Sequence, residues 1–204
     1  MGIITPTTEL DAVNTILSGI GESPVNSLTG ETTTDVSLAR SVLLEISRDV
    51  QLEGWTWNTE YDYPLSVDDN KEIRLPPAAL RVEFRYPDSR LYAIRGDRLY
   101  DLENHSFLFP DHVTVQGCSV VFMLAFHELP EAARRYIILK ALRVFQERTV
   151  GSQTLSQFQR DDENRCRGLL MAEERKVGRH NMLQGLTAPN GTGWQVYTTL
   201  QRTV

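Results

Sequence analysis

The hydrophobic period of this chain changes twice. Towards both ends apolar residues recur at three- and four-residue steps, whereas through the middle they alternate one by one. A 3.6-residue period buries one apolar side only as a helix, and a two-residue period only as a strand. The chain is therefore read as two helices, an inserted antiparallel β subdomain and two further helices, an α+β fold.

Leu10, Val13, Leu17 and Ile20 form one stripe on a first helix over about residues 8–20. Thr7 or Thr8 can cap it, Glu9 and Asp11 stand where the helix dipole favours negative charge, and Gly21 followed by Pro24 stops it. A second helix, 34–53, carries Val36, Ala39, Val42, Leu43, Ile46 and Val50, with Thr34 as cap and Gly54 as stop. A third, 130–149, has Pro130 in its first turn and ends before Gly151. A fourth, 152–177, is capped by Ser152 or Thr154 and stopped by Gly178. Each has a wide apolar face that needs a partner, so the four are expected to close a bundle. On the fourth, Leu155, Phe158, Cys166 and Leu169 form the stripe, and Asp162 falls within it.

From residue 55 the pattern alternates: Trp55, Trp57, Tyr61, Tyr63 and Leu65 suit a half-buried strand. Further strands are expected at 71–75, 81–86, 91–94, 98–102, 113–115 and 119–126, punctuated by prolines. Arg95-Gly96-Asp97 joins two of these runs and reads as a tight hairpin turn rather than an adhesion tripeptide, since Gly supplies the positive φ such a turn requires. The expected division is a helical bundle (1–54 and 129–178), a β subdomain (55–128) and an extended C-terminal arm (179–204). In that arm Trp194, Val196, Thr198 and Leu200 alternate with polar residues, as on a lone strand. An unpaired apolar strand is an aggregation liability. It either folds back on the β subdomain or adds to another chain, and both readings stand open.

Charge narrows the partners. A net charge of −6 argues against a general nucleic-acid coat. Cys118 and Cys166 follow no metal or redox spacing and read as reduced thiols. The longest apolar run, 120–126, is too short for a bilayer, so no membrane insertion is expected. The start resembles no secretory signal, and its Met-Gly lacks the second signal that stable lipid anchoring needs.

Catalytic patterns are sparse. His105, His112, His127 and His180 are scattered without ligand partners at metal spacing, and no nucleophile elbow or phosphate loop occurs. No metal and no cofactor is expected. Asp161, Asp162 and Glu163 are the densest carboxylates; they could serve a glycoside hydrolase, but a salt bridge to a neighbouring helix or subunit explains them better. The third helix interleaves Arg134, Arg135, Lys140, Arg143 and Arg148 with apolar residues on more than one face. It is therefore central in the bundle or part of a subunit interface. Arg134, Arg135, Lys140, Arg143, Asp161 and Asp162 are accordingly candidate interface charges. A nucleic-acid face is disfavoured because no aromatic stacking pattern accompanies them.

Four blocks together resemble the tail tubular protein A family of short-tailed bacteriophages. They are the opening helix with Ile20-Gly21-Glu22-Ser23-Pro24-Val25; Arg48-x-x-Gln51-x-x-Gly54-Trp55-Thr56-Trp57-Asn58, at the junction of bundle and sheet; Leu129-Pro130-Glu131; and Glu173-x-x-x-Val177 leading to Asn181-Met182-Leu183. They span nearly the whole chain in the same order, with Gly54, Trp55 and Trp57 in the most specific block. The segment from about 65 to 110 matches least.

The resemblance implies a structural virion protein, made in the host bacterial cytoplasm and resident in the virion tail. It implies a twelvefold homo-oligomeric ring that joins the portal protein to the nozzle protein (tail tubular protein B), with tail fibres attached nearby and phage DNA passing through the lumen without sequence-specific binding. Trp194, Val196, Tyr197 and Leu200 are then expected to dock on the portal. The competing expectation is a tail-associated carbohydrate hydrolase using paired carboxylates.

Overall fold

A computed structural model describes residues 6–29, 33–84, 91–110 and 114–177. Within them the order is α1 (Glu9–Ser18), α2 (Thr34–Leu52), β1 (Thr59–Ser66), β2 (Ala79–Phe84), β3 (Tyr92–Arg95), β4 (Arg98–Asp101), β5 (Thr114–Phe122), a 3-10 turn (Phe126–Glu128), α3 (Glu131–Thr149) and α4 (Gln153–Val177). The fold is α+β, helical at both ends of the described chain with antiparallel sheets between.

The helix termini follow local chemistry. Thr8 caps α1 in a reciprocal box: its hydroxyl accepts from the Asp11 N–H at 3.1 Å, and the Asp11 carboxylate accepts from the Thr8 N–H at 3.0 Å. The helix closes at Gly19, two residues before the expected stop. Gly19 abuts α3 so closely that a Cβ there would lie 2.9 Å from Leu142 Cγ. Gly21, at φ +85°, turns the chain afterwards. The Asn14 side chain then holds the outgoing loop, accepting from the Val25 N–H at 2.8 Å and donating to the Val25 carbonyl at 2.9 Å. The cap of α2 is Thr33, not Thr34, and its side chain makes no capping bond. Gly54, at φ +80°, ends that helix as expected.

Helices α1, α2 and α3 pack on one another, and α4 packs along α3. Their shared core is aliphatic: Ala12, Val13, Ile16 and Leu17 of α1 and Val36, Ala39, Leu43, Ile46 and Val50 of α2 meet Ala133, Ile137, Ala141 and Phe145 of α3.

Strands β1, β5 and β2 form an antiparallel sheet in that spatial order, while β3 and β4 pair as a separate hairpin. The expected turn is present: Arg95 pairs with Arg98, and Gly96 between them has φ +69°. Three expectations needed correction. The first strand starts at Thr59, leaving Trp55 and Trp57 in the turn before it. Residues 72–74 form isolated bridges rather than a strand, because each meets a different segment (Glu72 with Leu108, Ile73 with Val67, Arg74 with Arg98), and Lys71 ahead of them takes a left-handed φ of +63°. The runs at 113–115 and 119–126 belong to one strand, β5, interrupted by register shifts against β1 where Asp62 (φ +55°) faces Gly117 (φ +76°). A second, smaller core lies here: Leu65, Ile73, Val82, Leu99, Phe109, Val115, Cys118 and Val120. An ionic cluster borders it, in which Arg98 meets Glu72 at 2.5 Å and Arg74 meets both Glu72 at 3.0 Å and Asp68 at 3.2 Å.

Candidate functional site

The junction between helices and sheet is held by buried amides. Gln51 donates to the Leu124 carbonyl at 3.1 Å and accepts from the Leu124 N–H at 2.7 Å. Asn58 donates to the carbonyls of Gln51 (2.9 Å) and Phe122 (3.0 Å) and accepts from the Trp55 N–H at 2.8 Å. The Trp55 indole closes the loop onto the Val50 carbonyl at 2.8 Å and stacks against Trp57 with centroids 6.3 Å apart. The turn at Gly54 makes this possible: its positive φ reverses the chain, and a Cβ there would meet Arg81 Nη2 at 2.6 Å. The most specific block of the sequence is thus a structural staple that fixes the sheet to the end of α2.

Helix α3 is central, with partners on opposite faces. Tyr136, Arg143 and Glu147 lie along one face and meet Arg167, Glu163 and Ser156 of α4. Arg134, Leu142 and Arg148 lie about half a turn round and meet the Thr7 carbonyl, Gly19 and Glu45.

The candidate interface charges separate accordingly. Arg134 is 7% exposed and clamps three carbonyls, those of Leu129 (2.8 Å), Thr7 (2.9 Å) and His127 (2.6 Å). Arg143 pairs with Glu163 at 2.5 Å and with Glu147 at 3.0 Å. Those carboxylates hold its guanidinium above the ordinary arginine value, Glu163 most of all. The Ser156 hydroxyl, and after it Arg143, hold the Glu147 carboxyl below the usual glutamate value. Lys140 lies 5.9 Å from the Tyr136 ring. Arg135 is exposed and, with Glu131, Ala132, Cys166, Leu169 and Glu173, lines a groove of about 240 Å³ between α3 and α4.

The three adjacent carboxylates do not converge. Glu163 points into α3, Asp161 is exposed, and Asp162 lies outward with Arg165 beside it at 3.7 Å. This corrects the expected orientation of α4. Its buried face is the more polar one, Ser156, Glu163, Cys166 and Leu170, and the stripe of Leu155, Phe158 and Leu169 is exposed, Phe158 to 68%. The signal for the true face was the equally regular spacing 156, 159, 163, 166, 170. The Arg143–Glu163 pair fixes that face against α3 despite its polarity, because it holds one geometry between the helices and either charge buried without the other would be costly. Sequence reasoning also missed the tie between α4 and the staple. Glu174 accepts from the Thr56 N–H at 2.6 Å and its hydroxyl at 3.0 Å, and Arg167 reaches Glu53 at 3.2 Å.

Trp194, Val196, Tyr197 and Leu200 lie outside the described residues. Among the described residues no group of three or more His, Cys, Asp or Glu side chains is placed to hold a metal ion, and no helix is long and apolar enough to cross a membrane.

The comparisons with known proteins fit this geometry. Tail tubular protein A of Klebsiella phage KP34 is 30% identical over 129 residues, which cover 63% of this chain and 66% of that relative, just under two thirds of its length. Residues 10–180 match the family described as tail tubular protein, a span that runs from α1 through the staple and the inserted strands to past the end of α4. A match across every described element leaves one assignment: the chain belongs to the tail tubular protein family.

Proposed function

We propose that this chain is a structural subunit of the phage tail: a head-to-tail adaptor that assembles into a ring, twelvefold in the virion, between the portal and the nozzle protein. In this reading the helices (1–54 and 129–178) close a four-helix bundle that forms the wall of the ring. The β subdomain (55–128) faces outward to support tail-fibre attachment, and DNA leaves through the lumen. The C-terminal arm (179–204) docks on the portal through Trp194, Val196, Tyr197 and Leu200. The protein is made in the host cytoplasm and ends in the virion tail.

The observation that carries the reading is the family match over 10–180. The exposed stripe on α4 supports assembly, because a helix held on one face by a charge pair and left apolar on another has a second partner to find. The net charge of −6 per chain supports passage of DNA without adhesion, since a ring multiplies that charge.

Size-exclusion chromatography with light scattering, with and without the cognate portal, tests it. A ring-sized species, alone or eluting with portal, is expected. A folded monomer indifferent to portal would overturn the reading and direct attention to carbohydrate cleavage.

A further inference from the structure

Resting on the ring reading, we infer that neighbouring copies meet head to tail, with the outward stripe of α4 on one copy seated against the outer side of α2 on the next. Phe158 enters the groove formed by Leu28, Val36 and Leu44, and Asp162 pairs with Arg48.

The two surfaces are complementary in shape. Phe158 is 68% exposed and flanked by the exposed Leu155, a protruding apolar edge. Leu44 is also exposed, and beside it Leu28, Val36, Ser37, Arg40 and Ser41 line a groove of about 310 Å³, with room for an aromatic ring. One surface projects and the other receives, so each needs the other's partner rather than a copy of itself. That is the requirement for a heterologous contact.

Their placement suits ring closure. Helix α4 runs antiparallel to α3, since Ser156 meets Glu147 and Arg167 meets Tyr136. Helix α2 is antiparallel to α3 as well: Glu45 meets Arg148, and Gln51 bonds Leu124 just ahead of the α3 start. Helices α2 and α4 are therefore parallel to each other, and both flank α3. A rotation about an axis along the helices keeps them parallel when α4 of one copy lies beside α2 of the next.

Charge completes the match. Arg48 follows Leu44 by four residues and Asp162 follows Phe158 by four, one turn in the same direction on parallel helices. Arg48 is exposed and has no ion-pair partner among the described residues, and the side chain of Asp162 is 61% exposed with Arg165 at 3.7 Å. Seating Phe158 against Leu44 thus brings an available cation level with an available anion.

The test is disulfide trapping in the full-length Leu44→Cys/Phe158→Cys variant, oxidised in isolated rings or, for a protein that assembles only on portal, in the portal-bound complex. Both positions are exposed, so the fold is retained, as circular dichroism will verify. A ladder of covalent multimers is expected from the double variant and from neither single variant. Charge exchange provides the second arm: Arg48→Asp alone and Asp162→Arg alone weaken ring formation, and the combined exchange restores it. Covalent dimers from Phe158→Cys alone would reveal a symmetric contact and overturn the inference. So would rings that form with no ladder and no charge-swap rescue, as when residues 178–204 of the same chain cover the stripe; the ring reading would survive that result. Failure of the unmodified protein to form rings, even with portal, would overturn the ring reading and this inference together.

Discussion

Against α1 and α2, helix α3 presents a surface of aliphatic and aromatic side chains, with Arg134 and Arg148 at the ends. Against α4 it presents Tyr136, Arg143 and Glu147, and the buried residues of α4 that answer include Ser156 and Glu163 beside Cys166 and Leu170. The first seam gains free energy from area removed from water, about 1.5–3 kcal/mol for each fully buried aliphatic or aromatic side chain, and is insensitive to small rotations. The second is directional: a charge pair contributes little beyond its desolvation cost but fixes one geometry. The difference teaches that α1–α3 supply the stability, whereas α4 is held in a defined orientation that turns its apolar stripe outward.

This contrast can be broken most directly at Phe145, which is 2% exposed and lies between Leu142 and Arg148 on the α1/α2 side. Phe145→Ala should cost about 3–5 kcal/mol. Urea unfolding followed by tryptophan fluorescence should show a lower midpoint in a single transition, and a loss smaller than that of the next variant would reverse the contrast. Arg143→Ala leaves Glu163 buried without its partner and should cost about 2–3 kcal/mol, less than the roughly 3–5 kcal/mol of a fully buried pair because both side chains retain some exposure. Amide exchange should rise over 153–177 and stay low in α1 and α2; uniform acceleration would mean that the two seams are not separable. Adding Glu163→Gln should recover much of the loss. Thr8→Ala, which removes the reciprocal cap at the edge of the first seam, should cost about 1 kcal/mol, visible as a small drop in thermal midpoint.

The smallest expected effect is acid loosening. The folded Glu147 carboxyl lies below its ordinary value of 4.5, so its contribution is fully present above that pH and is lost as pH falls through the folded value. Glu45 on the first seam is shifted the same way by Arg148. With an aliphatic core behind Glu45 and a polar face behind Glu147, exchange in α4 should respond first as pH drops below about 4.5. Simultaneous response of α2 would count against the contrast.

The helical core was legible because its side chains obey one period. Val36, Ala39, Val42, Leu43, Ile46 and Val50, read as the face of the second helix, are all buried on it, with Ser47 and Gln51 beside them. The hairpin at Gly96 was legible for the same local reason. The orientation of α4 was not: two stripes of equal regularity run along it, and hydrophobicity favours the one that faces outward. Residues of another helix, Tyr136, Arg143 and Glu147, answer the inner face, and pairings across elements leave no trace in a local period. The strand breaks at Asp62 and Lys71 escaped notice because neither residue advertises a left-handed φ as Gly does. The staple of Gln51 and Asn58 stood out as a pattern, but its chemistry, amides reaching backbone groups of β5 and the loop after it, joins segments more than sixty residues apart and leaves no local signal.

The positions of the two cysteines have a practical consequence. Cys118 is fully buried in the sheet core, where it donates to the Tyr63 carbonyl at 2.8 Å and burial pushes its thiol pKa up, and Cys166 sits 8% exposed in the α3–α4 seam. The unmodified chain therefore carries two native clocks. Reaction with a thiol reagent at Cys166 times the parting of α4, and reaction at Cys118 times the opening of the sheet, so the two motions can be timed separately in one sample without a single introduced label.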